Sequence, residues 1–156
     1  MGKPDVIYLI RHAKAGERRE WDGDDIDRPL SKRGWRQSEA VAKRLEKHGA
    51  TALYSSGYVR CMQTLEPLAK RLGTEVRADS RLFEYEPFEP VLDLLGDVEN
   101  GAVLCSHGDI IPATIQALQR RGMRVETPAD WGKSSVWVLH RKRHKITRGK
   151  VWPAPC

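Results

Sequence analysis

The apolar run Val6-Ile7-Tyr8-Leu9-Ile10 ends directly on Arg11 and His12, and no other feature constrains the fold as strongly. A continuous apolar run of this length reads as a strand buried on both faces, and open α/β sheets bind ligands beyond the carboxyl ends of such strands. The pattern recurs at Gly101-Ala102-Val103-Leu104-Cys105-Ser106, which delivers His107 and Gly108 at its own end. Two histidines at two strand ends predict one shared site.

Strand and helix signals alternate along the chain. Ser31 is placed to cap a helix running to about His48, with Trp35, Val41, Ala42 and Leu45 as its apolar face and Gly49 as its stop. A short strand over Thr51-Ala52-Leu53-Tyr54-Ser55 leads into a second helix carrying Met62, Leu65, Leu68 and Leu72, with a bend expected at Pro67 and a stop at Gly73. Glu75-Val76-Arg77 reads as a strand, Val91 to Leu95 as a helix, and Ile110 to about Arg121 as a helix with Ile111, Ile115 and Leu118 on one face. A hairpin from Ser135 to Arg148 closes the order. The expected fold is α/β, a three-layer sandwich in which a mostly parallel sheet is flanked by helices.

At 156 residues the chain is expected to form a single domain over residues 1–156. No apolar stretch reaches membrane-spanning length and the amino terminus lacks a signal peptide's apolar centre, so the expected location is the cytoplasm. Cys61, Cys105 and Cys156 have no metal-type spacing and read as reduced thiols. The net charge of +6 favours anionic partners. Much of that excess lies in His140-Arg141-Lys142-Arg143-His144-Lys145, which reads as a solvated hairpin tip rather than a nucleic-acid patch because no aromatic residues interleave with the charges. The acidic segment Asp22-Gly23-Asp24-Asp25-Ile26-Asp27 fails as a calcium-binding hand, since Arg33 stands where the twelfth-position Glu belongs, and reads as a solvated loop near the pocket mouth.

The chemistry follows from which groups the strand ends collect. Arg11, His12 and His107 meet at one sheet edge, joined by Arg60 from the first turn of the second helix, three residues before Gln63-Thr64. Guanidinium forks match phosphate oxygens, and an imidazole can accept a phosphoryl group covalently. A phosphoryl-transfer pocket is the natural reading, with no metal and no cofactor. A metal site built from His12 and His107, with Asp109 and the acidic loop Asp22 to Asp27 as further ligands, and a non-catalytic phosphate-binding or protein-interaction module are the rivals.

These motifs resemble the histidine phosphatase superfamily of phosphoglycerate-mutase-like enzymes. Leu9-Ile10-Arg11-His12-Ala13 resembles its signature, with Ala13 in place of the usual Gly. Arg28-Pro29-Leu30-Ser31-Lys32-Arg33-Gly34 resembles the segment opening its first helix, Tyr54-Ser55-Ser56 through Arg60 and Gln63-Thr64 its second arginine motif, and Ser106-His107-Gly108 its second histidine motif. The short length is most similar to SixA-type phosphohistidine phosphatases, and similar domains are appended to some bacterial Nudix hydrolases of the MutT type.

The resemblance implies a phosphoglycerate-mutase-like fold and hydrolysis through a phosphohistidine on His12. It also implies that Arg11, Arg60 and His107 bind the phosphoryl oxygens. Arg28 either extends that clamp or is an exposed charge at the start of the helix, and Lys133 reads as a surface lysine. The general acid is sought among Glu84, Glu86 and Glu89, with Glu84 in the position after Leu82-Phe83 that resembles the family's. The implied substrate is a phosphohistidine-bearing protein or a small phosphate ester, with a nucleotide as the alternative.

Overall fold

The computed structural model describes residues 5–155. Its elements run β1 Asp5–Arg11, α1 Lys32–Lys47, β2 Leu53–Ser55, α2 Val59–Leu72, β3 Val76–Ala78, α3 Glu89–Asp97, β4 Val103–Ser106, α4 Ile110–Arg120, β5 Arg124–Val125, β6 Val136–Lys142 and β7 Lys145–Trp152. The strands form one sheet in the order β3-β2-β4-β1-β6-β7-β5. β1 through β4 pair in parallel, whereas β6 runs antiparallel to both β1 and β7. The sheet is mostly parallel, as its apolar runs predict.

Side chains of β1 alternate between two apolar cores. Ile7 and Leu9 join the cluster formed with α3 and α4, while Tyr8 and Ile10 join the cluster formed with α1 and α2. Both faces are therefore covered, which is why β1 and β4 read as unbroken hydrophobic runs rather than alternating ones. Each of the aliphatic side chains fully buried here contributes about 1.5–3 kcal/mol relative to exposure. Cys61 and Cys105 are free, fully buried thiols packed into the α1/α2 core as small apolar residues. The expectation for Cys156 lies outside the described residues.

Several boundaries differ from those expected. The second buried strand begins at Val103 because Gly101 turns the chain with φ +87°. α2 continues through Pro67 to Leu72 and ends on Gly73 at φ +67°. α3 is longer than its apolar core Val91 to Leu95, and β5 is too short to leave a periodic signal.

The closing hairpin extends to Trp152 and turns at Arg143 and His144, both at positive φ. Lys142 to Lys145 at its tip are exposed, as expected, but two side chains at or beside it are engaged. Arg141 pairs bidentately with Asp5 at 2.7 and 2.8 Å and donates to the Leu95 and Val98 carbonyls, while the His144 ring bonds the Gly96 carbonyl at 2.9 Å.

Among the described residues no helix is long and apolar enough to cross a membrane.

Candidate active site

The register of β1 with β4 sets Arg11 opposite Ser106, so His12 and His107 leave the sheet side by side. The His12 amide donates to the Ser106 carbonyl at 3.1 Å, and the two imidazoles meet edge to face with centroids 5.6 Å apart. β6 begins where β1 ends, with Ile10 opposite Val136, which swings the preceding loop over the same sheet edge. Arg11 donates from Nη1 to the Trp131 carbonyl of that loop at 2.7 Å.

His12 is only 6% exposed, and its Nδ1 lies 2.8 Å from the Ala13 carbonyl. A carbonyl can only accept, so Nδ1 carries the proton and Nε2 keeps its lone pair. Burial, followed by the charges of Arg60, Arg11 and Lys133, outweighs that hydrogen bond and pushes the His12 pKa down to about 3. The ring is neutral at physiological pH.

His107 is pushed down to about 3 as well, by burial first and then by His12 and Arg60. It lies behind His12 rather than on the open wall of the cavity, with Tyr58 edge-on against it at 4.6 Å. Its Nε2 lies 2.9 Å from Ser56 Oγ. That hydroxyl has no other acceptor among the described residues, so it donates to Nε2 and leaves the His107 proton on Nδ1.

Motif residues without chemistry of their own hold these groups in place. Thr64 Oγ1 accepts from the Ala13 amide at 2.9 Å and donates to the Arg60 carbonyl at 2.6 Å, tying the end of β1 to α2. Gln63 accepts from the Leu30 amide, and Gln37 from the Lys14 amide. Ser31 caps α1 through Gly34 and donates to the Lys14 carbonyl. A Cβ at Gly34 would stand 1.9 Å from that carbonyl oxygen, so only glycine lets α1 pack this close. Gly108 likewise makes room for Arg11, whose Cζ would lie 2.6 Å from an added Cβ.

Arg11, His12, Arg60, Arg28 and Glu84 all line one cavity of about 420 Å³. Glu86 and Glu89 are exposed and do not line it. Arg60, 1% exposed, directs Nη1 to the Asp25 carbonyl at 2.9 Å and Nη2 to Asp25 Oδ2 at 3.1 Å and Glu84 Oε2 at 3.0 Å.

Three readings are refined by this arrangement. Arg28 is buried at 7% exposure, ion-paired to Asp25 at 2.9 Å, so it is not an exposed helix-start charge. Lys133 is an exposed lysine, as expected, and it also lines the cavity. Asp25 is not simply solvated: it bridges Arg28 and Arg60, with Arg18 at 3.5 Å. Burial raises the Asp25 pKa, but the Arg28 hydrogen bond and the charges of Arg60, Arg28 and Arg18 outweigh it and hold that carboxyl below its ordinary value.

Sequence reasoning missed Lys14, Arg18 and Glu17 on the cavity wall. It considered Asp109 only as a metal ligand. Asp109 instead lines the cavity and accepts from the Tyr85 amide at 2.8 Å. Among the described residues no three His, Cys, Asp or Glu side chains cluster to hold a metal ion.

Three of the four buried side-chain polar atoms without a hydrogen-bond partner among the described residues belong to this site: Arg11 Nε, Arg60 Nε and His107 Nδ1. Such atoms carry a desolvation cost of about 1–3 kcal/mol each, and all three are donors that suit an anion.

The sequence model of the histidine phosphatase superfamily (branch 1) matches residues 7–89, which span β1 through the start of α3. The chain belongs to this superfamily. Its relatives include an 8-oxo-(d)GTP phosphatase from Mycolicibacterium smegmatis, 38% identical over 143 residues covering 86% of this chain and 44% of the relative. A probable phosphoglycerate mutase GpmB from Proteus mirabilis is 34% identical over 85 residues, covering 51% of this chain and 38% of that protein. The chain thus spans less than half the length of either relative.

The fold is shared with other histidine phosphatase structures. A SixA protein histidine phosphatase complexed with tungstate superposes with a TM-score of 0.79 at 20% identity, covering 97% of each chain. A putative SixA from Agrobacterium tumefaciens gives 0.71 at 22% identity, covering 94% of this chain and 97% of the other. The three-layer, phosphoglycerate-mutase-like architecture expected from the sequence is the one found.

Proposed function

We propose that this chain is a metal-independent phosphatase domain that transfers a phosphoryl group to Nε2 of His12 and then to water. The carrying observation is the Nδ1 hydrogen bond of His12 to Ala13 at 2.8 Å, which leaves a neutral imidazole with its Nε2 lone pair in a cavity walled by Arg11 and Arg60. In the first step the Nε2–P bond forms as the bond from phosphorus to the leaving oxygen breaks. Arg11, Arg60 and the Nδ1–H of His107 stabilise charge on the equatorial oxygens. Water then attacks phosphorus, the N–P bond breaks, and His12 is restored.

Glu84 favours a phosphate ester over a phosphohistidine protein as substrate. An alkoxide leaving group needs a proton, and Glu84, 3.0 Å from Arg60 Nη2, supplies a carboxyl beside the phosphoryl site. The 8-oxo-(d)GTP phosphatase among its relatives supports a nucleotide as the alternative, a phosphoanhydride whose leaving phosphate needs less protonation than an alkoxide. A release assay across phosphorylated proteins, nucleotides and sugars, ranked by kcat/KM, tests this preference, and a phosphohistidine protein ranked first contradicts it.

Two successive in-line displacements at phosphorus leave its configuration retained. A chiral, isotopically labelled thiophosphate ester is therefore expected to yield product with retention. Inversion would mean direct attack by water and would remove the covalent role of His12.

A further inference from the structure

The cavity holds more positive charge than one transferring phosphoryl group uses. Six cations line it, Arg11, Lys14, Arg18, Arg28, Arg60 and Lys133, against the carboxylates of Glu17, Glu84 and Asp109 on its wall and of Asp25 paired to three of the arginines. Arg11 and Arg60 flank His12, while Arg18 is engaged by Asp25 at 3.5 Å and Glu84 at 3.4 Å. The ammonium groups of Lys14 and Lys133 have neither a hydrogen bond nor an ion pair among the described residues. Partial burial, followed by the charges of Arg11, Arg28 and Lys14, lowers the Lys133 pKa, so these cations are close enough to repel one another.

Lys133 is held there by the backbone. The Ser134 amide donates to the Arg11 carbonyl at 3.0 Å, and the Ser135 amide to Gly132 at 3.0 Å. Ser134 is 1% exposed and adopts φ +65°, a left-handed conformation that costs a non-glycine residue about 1–3 kcal/mol. The register of β6 on β1 thus holds the backbone of the Lys133 loop against the end of β1, so that its unpaired ammonium lines the same cavity as Arg11.

The cavity volume of about 420 Å³ equals that of roughly a dozen waters, far more than one phosphoryl group needs. Two unpaired ammonium groups beside Arg28, which Asp25 engages only through Nε, suit a multiply charged, many-oxygen anion better than a carboxylate.

We propose that Lys14, Arg28 and Lys133 form a second anion subsite that binds the non-transferred phosphate of a phosphoanhydride, making the preferred substrate an organic diphosphate. This rests on the phosphatase reading and takes its nucleotide-type alternative, in which the leaving group is a phosphate and depends less on Glu84 than an alkoxide does. The bond from the terminal phosphorus to the bridging oxygen breaks as the bond to His12 Nε2 forms. The electron pair stays on the bridging oxygen of the departing organic monophosphate, where the subsite cations neutralise it. Water then attacks the phosphohistidine, and the products are inorganic phosphate, the organic monophosphate and a proton. Such an enzyme acts downstream of reactions that leave an organic diphosphate.

Adenosine 5′-diphosphate and adenosine 5′-monophosphate are a matched pair for the test, with 2-phosphoglycolate as the carboxylate-bearing comparison. The kcat/KM of the wild type is expected to favour the diphosphate by about tenfold or more, the scale of one charge-assisted hydrogen bond. Lys133→Met is expected to lower the diphosphate-to-monophosphate ratio by a similar factor, and Lys133→Arg to retain most of it.

Equal kcat/KM values for the two nucleotides, or an equal fractional loss on both in Lys133→Met, overturn the subsite. A Lys133-dependent preference for 2-phosphoglycolate over the diphosphate assigns it to a carboxylate and likewise overturns the proposal. A phosphoenzyme formed from p-nitrophenyl phosphate separates these failures from failure of the phosphatase reading itself.

Discussion

Arg60 and Glu84 form an ion pair 3.0 Å long across the wall of the cavity, with Arg60 almost wholly buried. The same guanidinium is held by Asp25, so the fork that would grip a phosphoryl group is satisfied by carboxylates. An incoming phosphate competes with those acceptors and brings its leaving oxygen next to Glu84.

Glu84→Gln is therefore expected to be selective. General acid catalysis contributes roughly a hundredfold to ten-thousandfold, and less as the leaving group departs more easily unprotonated. Alkyl phosphates should lose that much in the phosphorylation step, while p-nitrophenyl phosphate loses far less. Single-turnover measurement isolates the step. Equal losses for both would assign Glu84 to holding Arg60 instead.

Gly34→Ala and Gly108→Ala are expected to separate stability from activity. At Gly34 the new methyl meets the Lys14 backbone, which cannot yield without moving α1, and overpacking of this kind costs about 1–3 kcal/mol. At Gly108 it meets the far end of the Arg11 side chain rather than backbone, so the fold tolerates it while kcat/KM falls. Urea unfolding and kinetics on both variants check this; a Gly108→Ala variant with unaltered kinetics would show that Arg11 need not occupy its observed place.

The buried histidines make stability depend on pH. His12 and His107 titrate near 3 in the fold against an ordinary 6.5. Between those values the unfolded chain binds more protons, so their contribution is complete above about 6.5 and is lost as pH falls toward 3. Unfolding free energies at pH 7 and pH 4.5 should differ more in the wild type than in His12→Gln. An equal difference would mean that His12 is not buried as a neutral ring.

Activity is expected to survive exhaustive chelation, because the guanidinium groups of Arg11 and Arg60 supply the positive charge at the transferring group. Turnover lost to a chelator and restored by a divalent ion would favour a metal site instead.

The sequence made the strand-end groups legible because a buried parallel strand announces itself as an apolar run and its carboxyl end fixes where the next side chain emerges. Arg11, His12 and His107 follow from that rule alone, and Arg60 from its place in the first turn of α2. Asp25 and Lys133 do not, since their positions are set by contacts distant in sequence. Asp25 reaches Arg60 only through the folded loop after Trp21, and Lys133 reaches the cavity only because β6 pairs antiparallel with β1. Arg141 was misjudged for the same reason: its partner Asp5 lies at the opposite end of the chain.

The most direct test of the covalent mechanism is to quench the enzyme during turnover of a labelled substrate and locate the label. The expected result is an acid-labile, base-stable phosphoryl group on His12, absent from a folded His12→Ala variant that no longer turns over. Label that persists in that variant, or a wild type that turns over without accumulating any label under single-turnover conditions, would contradict the role assigned to His12.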